Sequence, residues 1–159
     1  MFVQNWNTDI NNSTRARCYT LYANFKFQPY LNLNNIEKNR VALSRYTVSA
    51  HRLEVETGRW HKPVAVPFNE RKCRTCLNCL ENEFLFLLEC PLYHELRKTC
   101  IRPYYLKRLN VQTFIELMKT ENKIEKRNVS MFIMKSFEIR KKLYLICNPL
   151  TPFFVYKCS

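Results

Sequence analysis

Cys73, Cys76 and Cys90 have residue types and spacing suited to holding a metal ion. They lie in Glu70–Arg97, ERKCRTCLNCLENEFLFLLECPLYHELR. Zinc takes four soft or borderline ligands near the corners of a tetrahedron. A CxxC turn such as Cys73–Cys76 supplies two thiolates as its backbone curls round the ion, so the other pair must come from an element folded back over the turn. The run reads Cys73-x2-Cys76-x8-Leu85-x4-Cys90; a histidine at 85 would complete a CCHC finger, and leucine stands there instead. Three repairs are open. Cys79 follows Cys76 by only three residues, which limits its reach to the far side of the ion. His94, four residues after Cys90, shares a helix face with it if a helix begins by Cys90. Water in the fourth position would leave a weaker three-thiolate site. The opposing reading has no metal, with Phe84, Phe86, Leu87 and Leu88 packing to hold the turn. An iron–sulfur arrangement through Cys73, Cys76 and Cys79 fails on spacing, because Glu83 stands where the fourth cysteine belongs.

Cations surround this segment. Arg52, Arg59, Lys62, Arg71, Lys72 and Arg74 flank it, with Trp60 and His61 interleaved. Such residues contact phosphates, and an exposed Trp60 would stack on an unpaired base. Large aromatics are mostly buried, so the expectation for Trp60 itself is a place in the core. His51 is expected to be a core or capping residue. Glu54 and Glu56 are expected to pair with nearby arginines. Cys18, Cys100 and Cys147 suit small buried positions, and Cys158 a loose thiol.

The whole chain agrees with a polyanion partner. It has 159 residues, 26 Lys and Arg against 13 Asp and Glu, and a formal charge of +13. Nucleic acid is the first candidate, since phosphate contacts supply most non-specific binding energy. The chain contains one aspartate, Asp9, which argues against a two-metal polymerase or nuclease site. The start, Met1 to Ile10, lacks a basic end and an apolar stretch, so a secreted protein is not expected. Asn148, Pro149 and Pro152 break the apolar tail short of a membrane span, and the clustered spacing of Cys73, Cys76 and Cys79 suits metal better than disulfides, which points to a reducing compartment, cytosol or nucleus.

The elements that must position these residues read as mainly α. One glycine, Gly58, leaves little material for hairpins. Residues 1–50 are expected to form N-terminal helices, 51–97 a basic loop and finger, 98–145 C-terminal helices and 146–159 a loose tail, all in one domain. The result is a small helical bundle with a short Cys-rich, zinc-knuckle-like turn inserted between helices. A first helix is expected over 10–27, opened by Asn12 or Ser13, with Ala16, Tyr19, Leu21, Tyr22 and Phe25 inward, and ended by Pro29. The second, over 33–50, has Asn34 or Asn35 as cap and Ile36, Val41, Leu43 and Val48 as its apolar face. Pro63 and Pro67 suggest a short extended piece and a loop over 51–71, with Gly58 at a turn. Pro91 opens a helix, Asn110 caps one that turns Phe114, Leu117 and Met118 inward, and the longest follows with Val129, Phe132, Ile133 and Phe137 as its stripe.

Three runs carry a family likeness. SAHRLEVETGRWHK, VPFNERKCRTC and ENEFLFLLECPLYHELR resemble the region after the polymerase in LINE-type (non-LTR) retrotransposon endonuclease–reverse transcriptases. His51, Leu53, Glu56, Gly58, Arg59 and Trp60 match the first motif of that region. Pro67, Glu70, Arg71, Cys73 and Cys76 match the second, and Glu81, Glu83, Cys90, Pro91 and Tyr93 the third. Leu85 departs from the family histidine. The likeness spans roughly residues 4 to 142. It implies a non-catalytic accessory module that grips RNA or single-stranded DNA, with catalysis in domains upstream. The rival expectation is an interaction module whose last helix docks its apolar stripe on a polymerase domain, or a decayed fragment without a binding role.

Overall fold

The structure, a computed structural model, describes residues 2–13, 17–23, 28, 31, 36–77 and 79–146. It is mainly helical: α1 (Phe2–Asn12), α2 (Glu37–Thr47), α3 (Glu54–Thr57), α4 (His94–Cys100), α5 (Pro103–Leu106), α6 (Val111–Lys119) and α7 (Lys123–Ile146). Single 3-10 turns stand at Tyr19–Leu21, Gly58–Trp60, Phe68–Glu70 and Pro91–Tyr93, and Leu85–Glu89 is π-helical. The described residues hold no strand, only an isolated antiparallel bridge between Lys72 and Leu80. None of their helices is long and apolar enough to cross a membrane. The tail beyond Ile146, with Cys147 and Cys158, lies outside the described residues.

The C-terminal half follows its local signals. Asn110 Oδ1 accepts the Thr113 N–H at 2.8 Å, the N-cap bond that stops an orphan amide from fraying α6. Phe114, Leu117 and Met118 are buried from that helix, and Val129, Phe132 and Ile133 from α7, with Phe137 half-buried. α7 packs against both α2 and α4, so the elements before and after the cysteine segment share one core. Phe86 stands at its centre, its ring 4.8 Å from Phe137, 5.0 Å from Tyr93, 5.8 Å from Tyr46 and 6.1 Å from Phe132. Edge-on and offset contacts of this kind add to the area that the rings bury.

Three expectations fail. The first helix runs over Phe2–Asn12, so Asn12 closes a helix instead of opening one, and a 3-10 turn stands at Tyr19–Leu21. The chain turns inward at Tyr22, which meets the Phe114 ring edge-on at 6.0 Å. Ala16, Phe25 and Pro29 lie outside the described residues. In α2 the buried face is Asn39, Leu43, Tyr46 and Thr47, while Ile36 is 67% exposed and Val41 and Val48 face out. Tyr46 decides the rotation of that helix, since its hydroxyl donates to the Glu83 carbonyl at 2.5 Å and its ring packs on Phe86. The caps expected at Asn34 or Asn35 lie outside the described residues.

The third expectation that fails is the extended piece within 51–71, where α3 and 3-10 turns stand instead. The amides of its first turn are satisfied from a distant residue: Glu54 N–H donates to Glu81 Oε2 at 2.7 Å and Val55 N–H to the Glu81 carbonyl at 3.0 Å. A helix of four residues has no stability of its own, and these outside acceptors supply it.

Gly58 serves close approach, with its φ at −60°. A Cβ there would lie 2.7 Å from Arg71 Cγ and 2.9 Å from Cδ. Arg71 cannot easily move away, because Nε donates to the Val66 carbonyl and Nη1 to the Val55 carbonyl, each at 2.9 Å. Gly58→Ala is therefore expected to destabilise by about 1 kcal/mol, overpacking of ~1–3 kcal/mol outweighing the usual gain from replacing a helical glycine. In a double-mutant cycle by urea denaturation, Arg71→Ala should relieve the clash. Additive costs would refute this account.

Candidate metal centre and its surroundings

The cysteine segment folds into a tight turn. Lys72 and Leu80 bridge, Cys73 N–H donates to the Cys79 carbonyl at 2.8 Å, and Leu77 N–H donates to the Cys73 carbonyl at 2.7 Å. Leu77 completes the reversal in the left-handed region at φ 59°. Cys76 is thereby turned back beside Cys73.

The third thiol arrives on the π-helical segment. Asn82 Oδ1 caps it by accepting the Leu85 N–H at 2.8 Å, and the Cys90 N–H closes it on the Leu85 carbonyl at 2.7 Å. The wide turn buries Leu85, Phe86, Leu87 and Leu88 in succession and then presents Cys90 to the CxxC pair; of the residues in the packing reading, Phe86, Leu87 and Leu88 are buried and Phe84 is half-buried. Arg97 from α4 grips the end of the segment. Its guanidinium, itself buried, donates to the Leu87 and Cys90 carbonyls at 2.8 Å each, and lies 5.8 Å from the Phe132 ring centroid. These are the carbonyls that a helix end leaves without partners.

The sulfurs of Cys73, Cys76 and Cys90 lie within 4.8 Å of one another and all three residues are buried; Cys76 and Cys90 Sγ are 3.6 Å apart. All three are free thiols. Thiolates bound tetrahedrally at about 2.3 Å from zinc stand ~3.8 Å apart, so the donor set fits a metal of that size. Hydrogen bonds from the Cys76 and Cys90 thiols, then from the Cys76 and Thr75 amides, hold the Cys73 thiol far below its ordinary value. Cys76, which donates to Cys73, is pushed up. Three clustered thiols, which release their protons when a metal binds, are a donor set suited to a soft cation.

Among the described residues the convergent set is these three. Cys79 is half-buried at the end of the turn and His94, at the start of α4, is 59% exposed with Nε2 3.9 Å from Glu95; neither belongs to the set. Leu85 is buried at 3% exposure.

The basic residues divide in two. Arg71 is tied to backbone carbonyls as described. Arg59 lies 3.4 Å from Glu56 and Arg74 lies 2.6 Å from Glu54, the pairing expected of those glutamates. Arg52, Lys62 and Lys72 are exposed. Trp60, expected in the core, is instead 70% exposed. The loop that carries it is closed at its base by Val66 N–H donating to the Gly58 carbonyl at 2.8 Å, and Arg71 pins that base. Trp60 and Val64, both carried by this loop, are exposed.

Sequence reasoning missed the polar framework beneath the turn. Glu81, directly after the bridge, forms a bidentate pair with Arg140 of α7, both buried, with Arg140 Nη2 2.6 Å from Glu81 Oε2. Glu83 accepts from His51 Nε2 at 2.9 Å and from Ser49 Oγ at 2.8 Å. His51 is thus the buried core residue that was expected, with a carboxylate as its partner. The signal available was two glutamates in an otherwise apolar run, since acids are seldom fully buried unless paired.

Burial alone would raise the Glu83 carboxyl, but the hydrogen bonds and charge of His51, with the bonds from its own amide and Ser49, outweigh burial and leave it below 4.5. The folded-state value lies under the unfolded one, so its stabilisation is complete above pH 4.5 and is lost as pH falls through the folded value. Denaturation midpoints measured across that range should fall with acid in the native chain and fall less steeply in Glu83→Gln. Equal slopes would refute the assignment.

Compared with known proteins, the chain matches no family model, no curated protein and no solved structure.

Proposed function

We propose that this chain is a non-catalytic nucleic-acid-binding module, of the kind that follows the polymerase in LINE-type elements, gripping single-stranded RNA or DNA from a zinc-held knuckle in a reducing compartment. Cys73, Cys76 and Cys90 hold the ion, which supplies rigidity to the turn and no chemistry on a substrate. The observation that carries this reading is the display of Trp60 on a loop pinned at its base, with the exposed Lys62 in the same loop. A large ring kept in water by its own scaffold, with an exposed cation two residues away, is a combination that stacks an unpaired base while a phosphate is neutralised. The formal charge of +13 agrees with such a partner.

Docking of the last helix on a polymerase domain would need a free apolar stripe. Val129, Phe132 and Ile133 are instead buried in this chain's own core.

Fluorescence anisotropy with short oligouridine and oligothymidine provides the test. Affinity should fall steeply with salt, and Trp60→Ala should weaken binding by about 1–3 kcal/mol, the worth of one base–aromatic stack. Lys62→Glu with Lys72→Glu should flatten the salt dependence. Binding indifferent to salt and to Trp60 would overturn the reading.

A further inference from the structure

A groove of about 690 Å³ lies away from the cysteines, between α2 and α7. That is the size class of sites for small organic ligands. We propose that this groove is a second nucleic-acid subsite, seating an unstacked base on its apolar floor while the flanking phosphates lie on its cationic rim. The inference rests on the single-strand-binding reading and locates part of that site.

The floor is made by Val41 and Ala42 of α2, Ala50 beyond it, and Met134 and Phe137 of α7. Phe137 is half-buried and continues a stack of rings, lying at 26° to Phe86 and 25° to His51. Val41, which the sequence assigns to a core stripe, is turned out into this groove. Lys38, Arg45, Arg52 and Lys141 form the rim. All four are exposed, and none has an ion-pair partner among the described residues. Glu138 is the one exposed acid there, while Arg140 is committed to Glu81 and His51 to Glu83. Four solvated cations around an apolar floor favour an occupant with a flat apolar body and anions on either side, which describes a nucleotide strand. An acidic peptide would match the rim and leave the floor unused. Arg52 is also close in sequence to the Trp60 loop, with α3 between them.

The full chain, loaded with zinc, is tested by anisotropy with short oligouridine. A groove variant, Lys38→Glu with Arg45→Glu and Lys141→Glu, is set against a control, Lys107→Glu with Arg108→Glu and Lys119→Glu, which makes the same charge change on exposed residues outside the groove. The groove variant is expected to bind at least tenfold more weakly than the control, with a salt slope lower by about 2, from three single-strand contacts at roughly 0.7 each. A 4-thiouridine-bearing strand should crosslink to Met134 or Phe137 as well as near Trp60, a readout that does not depend on the variants' folding. Equal affinities for groove variant and control, with crosslinks confined to the Trp60 loop, would overturn the groove and leave the single-strand reading standing. Displacement of the strand by oligoglutamate as readily as by unlabelled strand would also overturn it, in favour of an acidic peptide. A native chain that binds no strand would overturn both.

Discussion

Arg140→Met is expected to destabilise the chain by about 3–5 kcal/mol, the usual cost of stranding one member of a buried ion pair. The side chains of Arg140 and Glu81 are 5% and 3% exposed. Methionine preserves most of the arginine's volume, so the loss would report the stranded Glu81 carboxylate more than a cavity. The damage should spread, because the same carboxylate accepts the Glu54 amide that starts α3, and the Glu81 amide donates to the Arg71 carbonyl at 2.9 Å. Pairing the change with Glu81→Gln, which keeps an acceptor for that amide and removes the charge, should recover part of the loss. Urea denaturation read by circular dichroism measures both variants. A single substitution costing under about 0.5 kcal/mol, as surface changes do, would mean that Arg140 is not buried against Glu81.

Metal removal is the second large effect. Protein made under reducing conditions is expected to carry close to one zinc per chain, and chelation to unfold the turn. Structural zinc contributes about 10–16 kcal/mol in small finger peptides, and a three-thiolate site supplies only part of that. Cys90→Ser should abolish retention, because it removes the one ligand that arrives from the second element. Leu85→His gives the sharper result. The position is buried, so an imidazole without metal would be an unsatisfied polar group costing ~1–3 kcal/mol, whereas with metal it would complete the ligand set. The variant should therefore be less stable than the native chain when stripped and hold zinc more tightly when loaded, in a competition assay against a chromogenic chelator. No gain in retention would mean that residue 85 does not face the thiols.

The core shows why the cysteine segment holds its shape around only three thiols. Phe86, two residues before Leu88 and four before Cys90, meets rings from α2 and α7 and from the turn before α4. Arg97 closes the carbonyls on the other side. Apolar packing and the convergence of three thiols are thus features of one turn, where the sequence presents packing and a metal site as rival readings.

Local chemistry was legible in the residues themselves. The Asn110 cap, the Pro91 start and the inward faces of α6 and α7 each depend on groups a few residues apart or on a periodicity that one helix displays by itself. The pairing of Glu56 with Arg59 was legible for the same reason. The convergence of Cys76 with Cys90 and the pairing of Glu54 with Arg74, 14 and 20 residues apart, were legible from residue type. What only the tertiary structure decided involves partners far apart in the chain. Glu81 and Arg140 are 59 residues apart, and their pairing turned an apparent loop into α3. Tyr46, bonded to Glu83 across 37 residues, set which side of α2 faces in and so left Val41 in a groove. Trp60 was assigned to the core by its size, yet a loop closed at Gly58 and pinned by Arg71 keeps it in water. Periodicity ranks residues by apolarity, but burial goes to those whose polar atoms also find partners inside, and that matching exists only once the chain has folded.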